Sequence, residues 1–254
     1  SLAVNAAALA PGGNWAATAS DDGTVIAWNM ETASPALRPR DPKKPRCLAF
    51  SPDGGRLVVG GAGGDLVIRN VPSGDVVLQR SLGGGNVTGV LFTPKGDRLV
   101  AVTEGDVFQL LSAETGEEIP TPEFDGAHVR CAAVGREGGR VIFGDADGTI
   151  HVGDLDALNV VRSLKGHEGA VRCVAVSANG RWAVSGGADR TVRAWDLEQG
   201  KEIATSKPQR GPLFNVAITA DATRAFSVSS ADVAVSIWEP PIAAATDPNR
   251  ENGP

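Results

Sequence analysis

The chain has 254 residues, 42% of them hydrophobic and 21% charged, a balance that fits a folded globular protein and argues against both disorder and a membrane class. A formal charge of -6 disfavours broad binding to nucleic acid or to anionic membranes, since both require a positive surface. Apolar runs such as Leu99 to Val102 fall far short of the roughly 20 residues that a membrane-crossing helix needs.

The chain opens on Ser1 with no charged start and apolar stretch behind it, so no secretory signal is expected and the chain reads as processed or as a piece of something longer. From Val4 onward the sequence repeats. Similar segments begin with VNAAALAPGGNWAA at Val4, PRCLAFSPDGGRLV at Pro45, VTGVLFTPKGDRLV at Val87, VRCAAVGREGGRVI at Val129, VRCVAVSANGRWAV at Val171 and LFNVAITADATRAF at Leu213, at intervals of 41 or 42 residues. Residues 171–200 align on residues 45–74 without a gap. A fixed period of this length takes precedence over any local reading, and it gives six units.

Within each unit the pattern predicts three strands separated by turn residues, as in Cys173 to Val176, the turn Ala178-Asn179-Gly180, and Thr191 to Trp195. A weaker fourth strand is expected at Gly74 to Leu78, Leu158 to Val161 and Glu202 to Thr205. A four-stranded antiparallel sheet with two apolar faces cannot bury both alone, so it must stack on its neighbours; the expected fold is an all-β propeller of six visible blades. A β-sandwich would explain the turns but not the fixed register.

Several local patterns have a bland reading that outweighs a chemical one. Gly60 to Asp65 is glycine-rich, but no Gly-Lys-Ser or Gly-Lys-Thr follows it, so a turn is expected instead of a phosphate loop. Asp145, Asp147 and Gly148 lack the glycine and glutamate spacing of a calcium loop and are read as another turn. Cys47, Cys131 and Cys173 share one repeat position and are expected to be small core residues without disulfides, which permits a reducing, cytoplasmic setting. His128 and His151 have no partner at metal-ligand spacing and are read as solvated or turn-packing residues. Ser185, His167 and Asp189 have the residue types of a hydrolase triad, yet Ser185 sits inside a strand pattern with Trp195 at repeat spacing, so no catalysis, metal or cofactor is expected.

The units resemble WD40 repeats over residues 4 to about 239, best in the fifth, where Gly166-His167, Ser185, Asp189 and Trp195-Asp196 stand at the signature positions. The resemblance implies that His167, Ser185, Asp189 and Trp195 form a hydrogen-bonded structural tetrad inside one blade. Other units keep parts of it: Asp22, Asp147 and Asp232 at the turn, Trp28 and Trp238 at the tryptophan, Thr18 and Ser227 at the hydroxyl. Arg69, Leu111 and Gly153 replace the tryptophan in units two to four, so blade packing there is expected to rest on apolar contacts. Propellers of this kind commonly have seven blades. A complete six-bladed ring over residues 1–239 is the first reading, with residues 240–254 as a tail or weak last strand around Ile242 to Ala245. A seven-bladed ring, with one blade outside this sequence or supplied by another chain, is the alternative.

In such propellers the first strand of each unit lines the central channel, and the residues at its start join those before the turn aspartate in a docking surface. Carried over position by position, this gives Asn5, Lys44, Arg46, Asn86, Thr88, His128, Arg130, Ala170, Arg172, Pro212 and Phe214, with Asp21, Glu104 and Ala231 before the turns. Arg46, Arg130 and Arg172 share a position, joined by Lys44, Thr88 and His128 and flanked by Phe214. The expected function is a non-catalytic scaffold that holds a protein or peptide, an acidic or phosphorylated segment, through those arginines. The alternatives are a propeller-based enzyme and an incomplete ring that self-assembles.

Overall fold

The computed structural model describes residues 3–39, 42–105, 108–121, 128–135, 139–232 and 234–242. They form six successive antiparallel sheets, one per repeat, with the strands of each sheet in chain order. Blade one contains Val4–Leu9, Trp15–Ser20, Val25–Asn29 and Ser34–Leu37. Blade two contains Cys47–Phe50, Arg56–Gly60, Asp65–Asn70 and Val76–Ser81. Blade three contains Val87–Phe92, Arg98–Thr103, Phe108–Ser112 and the short Glu118–Ile119.

Blade four follows with Val129–Val134, Arg140–Asp145, Thr149–Asp154 and Asn159–Lys165. Blade five has Val171–Val176, Trp182–Gly187, Val192–Asp196 and Lys201–Thr205. Blade six shows three strands among the described residues, Leu213–Ile218, Ala225–Ser229 and Ser236–Trp238. The weak fourth strands exist, but in blades two and four they run further along the chain than the apolar runs suggested, because their outer positions are solvent-facing and carry no hydrophobic signal. Of the expected last strand, Ile242 is buried against Trp182 and Ala222, while residues 243–245 lie outside the described residues.

The blades group into two compact units, divided between His128 and Val129, with three blades in each. Inside a unit, each blade buries its faces against the next. In the first unit, Ala17, Ala19 and Val25 of blade one meet Leu48, Phe50, Leu57 and Val59 of blade two. The opposite face of blade two supplies Val58, Leu66 and Ile68 to Val87, Val90, Leu99 and Leu111 of blade three. In the second unit, Ile142, Ile150 and Val152 pack on Val171, Ala183 and Trp195, and Val184, Val192 and Ala194 pack on Leu213, Val216 and Ala225. At about 1.5–3 kcal/mol for each large aliphatic side chain fully buried, these faces are the main source of stability.

In blades two to five the second strand is covered on both faces, which explains why Trp182–Gly187 is buried at every position and why Leu99 to Val102 is continuously apolar. The fourth strand lies at the outside, and Ser34–Leu37 is mostly exposed. Between the second and third strands of blade two, the glycine-rich stretch forms a short 3-10 turn, Ala62–Gly64, with Gly63 and Gly64 at φ of 72° and 85°. Glycine is needed there because other residues rarely adopt positive φ.

Candidate functional site

In blade five, four side chains from two strands and two connecting segments join in one chain of hydrogen bonds. Trp195 Nε1 donates to Ser185 Oγ at 2.8 Å, and Ser185 Oγ lies 2.7 Å from His167 Nε2. His167 Nδ1 lies 2.9 Å from Asp189 Oδ2. Asp189 can only accept, so the histidine carries its proton on Nδ1 and accepts the serine hydroxyl proton at Nε2. Burial lowers the pKa of His167 against the opposing pull of Asp189, which favours this neutral form. Burial pushes the Asp189 carboxyl up, but hydrogen bonds from the Thr191 amide, the His167 ring and the Glu168 amide outweigh it and hold the pKa at about 2.

Local sequence is fitted to this chain. A side chain on Gly187 would come within 2.4 Å of His167 Nδ1, and one on Gly166 within 2.7 Å of the Trp195 ring. Asp189 also accepts from Thr191 Oγ1 at 2.9 Å, so the carboxylate ties the turn after the second strand to the segment that leads into the first. Ser185 is fully buried and both its polar neighbours are internal. The hydroxyl is enclosed by these partners, and the arrangement acts as a fastener within the blade.

The other blades solve the same problem with different residues. In blade one, Trp28 Nε1 donates to Thr18 Oγ1 at 3.3 Å. In blade six, Gln209 Nε2 donates to Ser227 Oγ; Gln209 stands four residues before Leu213, as His167 stands four before Val171, so an amide does the work of the imidazole. Blade three is apolar at the matching positions, with Ala101 and Leu111 fully buried. In blade two, Arg69 turns back to donate to the Gly74 carbonyl at 2.7 Å.

Blade four corrects the reading of His151 as a solvated or turn residue. His151 Nε2 lies 2.9 Å from Asp145 Oδ2, its Nδ1 lies 2.9 Å from Ser163 Oγ, and its ring stacks on Phe143 with centroids 4.9 Å apart. Asp145 also accepts from the Asp147 and Thr149 amides at 2.9 and 2.7 Å. Strand register creates this cluster, because His151 is the direct cross-strand partner of both Phe143 and Ser163. Phe143 occupies the hydroxyl position and Gly153 the tryptophan position, so the bulky aromatic has moved from the third strand to the second.

At the start of the first strands the backbone shows a feature invisible in the sequence. In five blades a β-bulge skips the second residue of that strand, so Asn5, Thr88, Arg130, Arg172 and Phe214 drop out of register with the neighbouring strand. All five are exposed. A bulge re-aims the side chain it ejects, and here it repeatedly aims it at solvent. In blade two Arg46 precedes the strand, is also exposed, and its amide donates to the Gly60 carbonyl at 2.8 Å.

The two units differ in what surrounds this position. In the first, Asn5 Nδ2 donates to Asp21 at 2.7 Å, Asn86 Nδ2 donates to Glu104 at 2.7 Å, and Arg46 pairs with Glu104 at 3.7 Å. Thr88 donates to the Val102 carbonyl at 3.2 Å, while Lys44 and His128 are exposed. In the second unit, the residues before the turns are Ala146, Ala188 and Ala231, none of which can accept a hydrogen bond through its side chain. The first strands of blades four, five and six lie side by side, so Arg130, Arg172 and Phe214 follow one another along this unit. Arg172 makes no ion pair with a described residue, and Phe214 is 72% exposed.

The three cysteines are buried or nearly so and unbridged. Burial pushes Cys47 and Cys173 up to about 12 and Cys131 higher still, leaving inert thiols. Among the described residues no cluster of histidine, cysteine and carboxylate side chains could hold a metal, and no helix is long and apolar enough to cross a membrane.

Six antiparallel sheets of three or four strands in succession, stacked blade on blade within each unit, define an all-β repeat protein of the propeller class. The family model described as WD domain, G-beta repeat matches residues 1–29, 41–70 and 158–196, and with six blades of this design the chain is consistent with the WD40-repeat family, its fold a WD40-type β-propeller. Blade three, whose fastening positions are apolar, lies outside the matched segments. No curated protein matches the chain. WD40 propellers are generally protein-interaction scaffolds and are typically non-catalytic.

Proposed function

We propose that the chain is a non-catalytic interaction module and that its second unit binds an acidic or phosphorylated protein segment through Arg130 and Arg172. Arg46, supported by Lys44, offers a further anchor on the first unit once released from Glu104. The observation that carries this reading is the repeated bulge, which turns one repeat position into a row of exposed side chains. On a chain of net charge -6, two exposed arginines at the same position of neighbouring first strands are a local reversal of sign, suited to bidentate bonds with carboxylate or phosphate. The buried Ser185 supports the non-catalytic part.

The test is fluorescence anisotropy with a labelled glutamate-rich peptide and a phosphoserine peptide. Replacing both Arg130 and Arg172 with alanine is expected to weaken binding by about 30-fold or more, the loss typical of one hot-spot anchor or larger. Unchanged affinity in the folded double variant overturns the anchoring role. Ester hydrolysis that disappears in a folded His167→Ala protein would overturn the non-catalytic assignment.

A further inference from the structure

The row that carries the two arginines does not end in a charge. Its third member is Phe214, ejected by the equivalent bulge and 72% exposed. Isolated surface hydrophobics are ordinary, but this one occupies a repeat position whose neighbours in the unit are both cationic, and the positions before the turns, Ala146, Ala188 and Ala231, are small and apolar in all three blades. The corresponding positions of the first unit include Asp21 and Glu104, which occupy the polar groups beside them. Among the described residues of the second unit no carboxylate pairs with Arg172, and Phe214 is left exposed.

We infer that this surface selects a protein segment in which an anionic side chain stands close to an apolar one, the anion held by Arg130 and Arg172 and the apolar group laid on Phe214. The inference rests on the anion-binding role proposed above and adds the second half of the recognition. Charge complementarity supplies encounter and orientation. An aromatic ring supplies the desolvated contact that exposed ion pairs, screened by salt, cannot. A uniformly acidic peptide therefore satisfies only half of the surface.

Two labelled peptides test this, one glutamate-rich with a single central phenylalanine and one with serine in its place, each also made with phosphoserine substituted for the glutamate nearest the centre. They are titrated against the native chain, Phe214→Ala and the Arg130→Ala, Arg172→Ala double variant, all surface changes whose folding is checked by circular dichroism. The phenylalanine peptides are expected to bind the native chain about 10- to 30-fold more tightly than the serine peptides, in the range of one buried aromatic anchor. Phe214→Ala is expected to erase that difference while leaving the serine peptides unchanged, and the double variant to weaken all of them.

Equal affinity of phenylalanine and serine peptides, with no effect of Phe214→Ala, overturns the inference while the anion-binding role stands. Absence of binding by every acidic peptide overturns both. Concentration-dependent self-association that Arg172→Glu dissolves would show a second copy of the chain on this surface, and would overturn the inference as well.

Discussion

In the blade-five fastener each link fixes where a proton resides, and that makes its stability depend on pH in a definite direction. The folded state lowers the pKa of His167 from its ordinary 6.5 and that of Asp189 from 3.8 to about 2. In both cases the unfolded chain takes up its proton first as pH falls, so acidification favours unfolding. The His167 contribution is complete above pH 6.5 and declines below it, whereas the Asp189 contribution is complete above pH 3.8 and is lost toward pH 2. Urea midpoints measured across pH should fall in these two windows. His167→Gln, the residue that blade six uses at this position, should flatten the upper decline, and Asp189→Asn the lower; parallel profiles for native chain and variants would contradict the assignment. The four members of this chain stand at recognisable spacing in the sequence. Gln209 was equally well placed but does not have the expected residue type, and the Asp145–His151–Ser163 cluster depends on strand register, which single residues do not announce.

Register also explains the cysteines at the scale of the blade. Cys47, Cys131 and Cys173 are cross-strand partners of Gly60, Gly144 and Gly186. In blade one the matching pair is Ala6 and Ala19, and in blade three the sizes are reversed, with Gly89 opposite Val102. In blades one to five the pair therefore stays small while the identity of the larger member moves between strands; blade six departs from this, with Asn215 opposite Val228. The space is closed on its far side by the next blade: a methyl group on Gly186 would come within 2.6 Å of Leu213 and 2.7 Å of the Cys173 sulfur. Gly186→Ala is expected to destabilise the protein by about 1–3 kcal/mol through overpacking. Adding Cys173→Ala relieves only the sulfur contact, so the double variant should lose less than the sum of the two single variants in denaturant titrations. Additive losses would mean that the two side chains do not share this space. The small size of the cysteines was readable from their repeat position, but the glycine partner was not, since it follows from which residues face each other across a bulged pair of strands.

For the molecule as a whole, the 41- or 42-residue period was sufficient to reveal the blades, because stacking forces each unit to keep its apolar strands in the same place even where the fastening residues change. Blade three shows this most clearly, retaining its strands with Ala101 and Leu111 where blade five has serine and tryptophan. What the period could not reveal was the ejection of the second residue in the first strands, a property of backbone pairing alone. Burial within a blade follows the same cycle: second strands such as Leu57–Gly60 and Leu99–Thr103 are covered on both faces, while fourth strands such as Ser34–Leu37 and Val76–Ser81 are largely exposed. Amide protection tracks the cost of opening a segment, so hydrogen exchange should rise and fall along the chain with the repeat period. The slowest amides are expected in second strands of blades two to five and the fastest strand amides in fourth strands. A profile that instead divides the chain into one uniformly protected and one uniformly labile half would show that opening is governed by the two three-blade units and not by position within each blade.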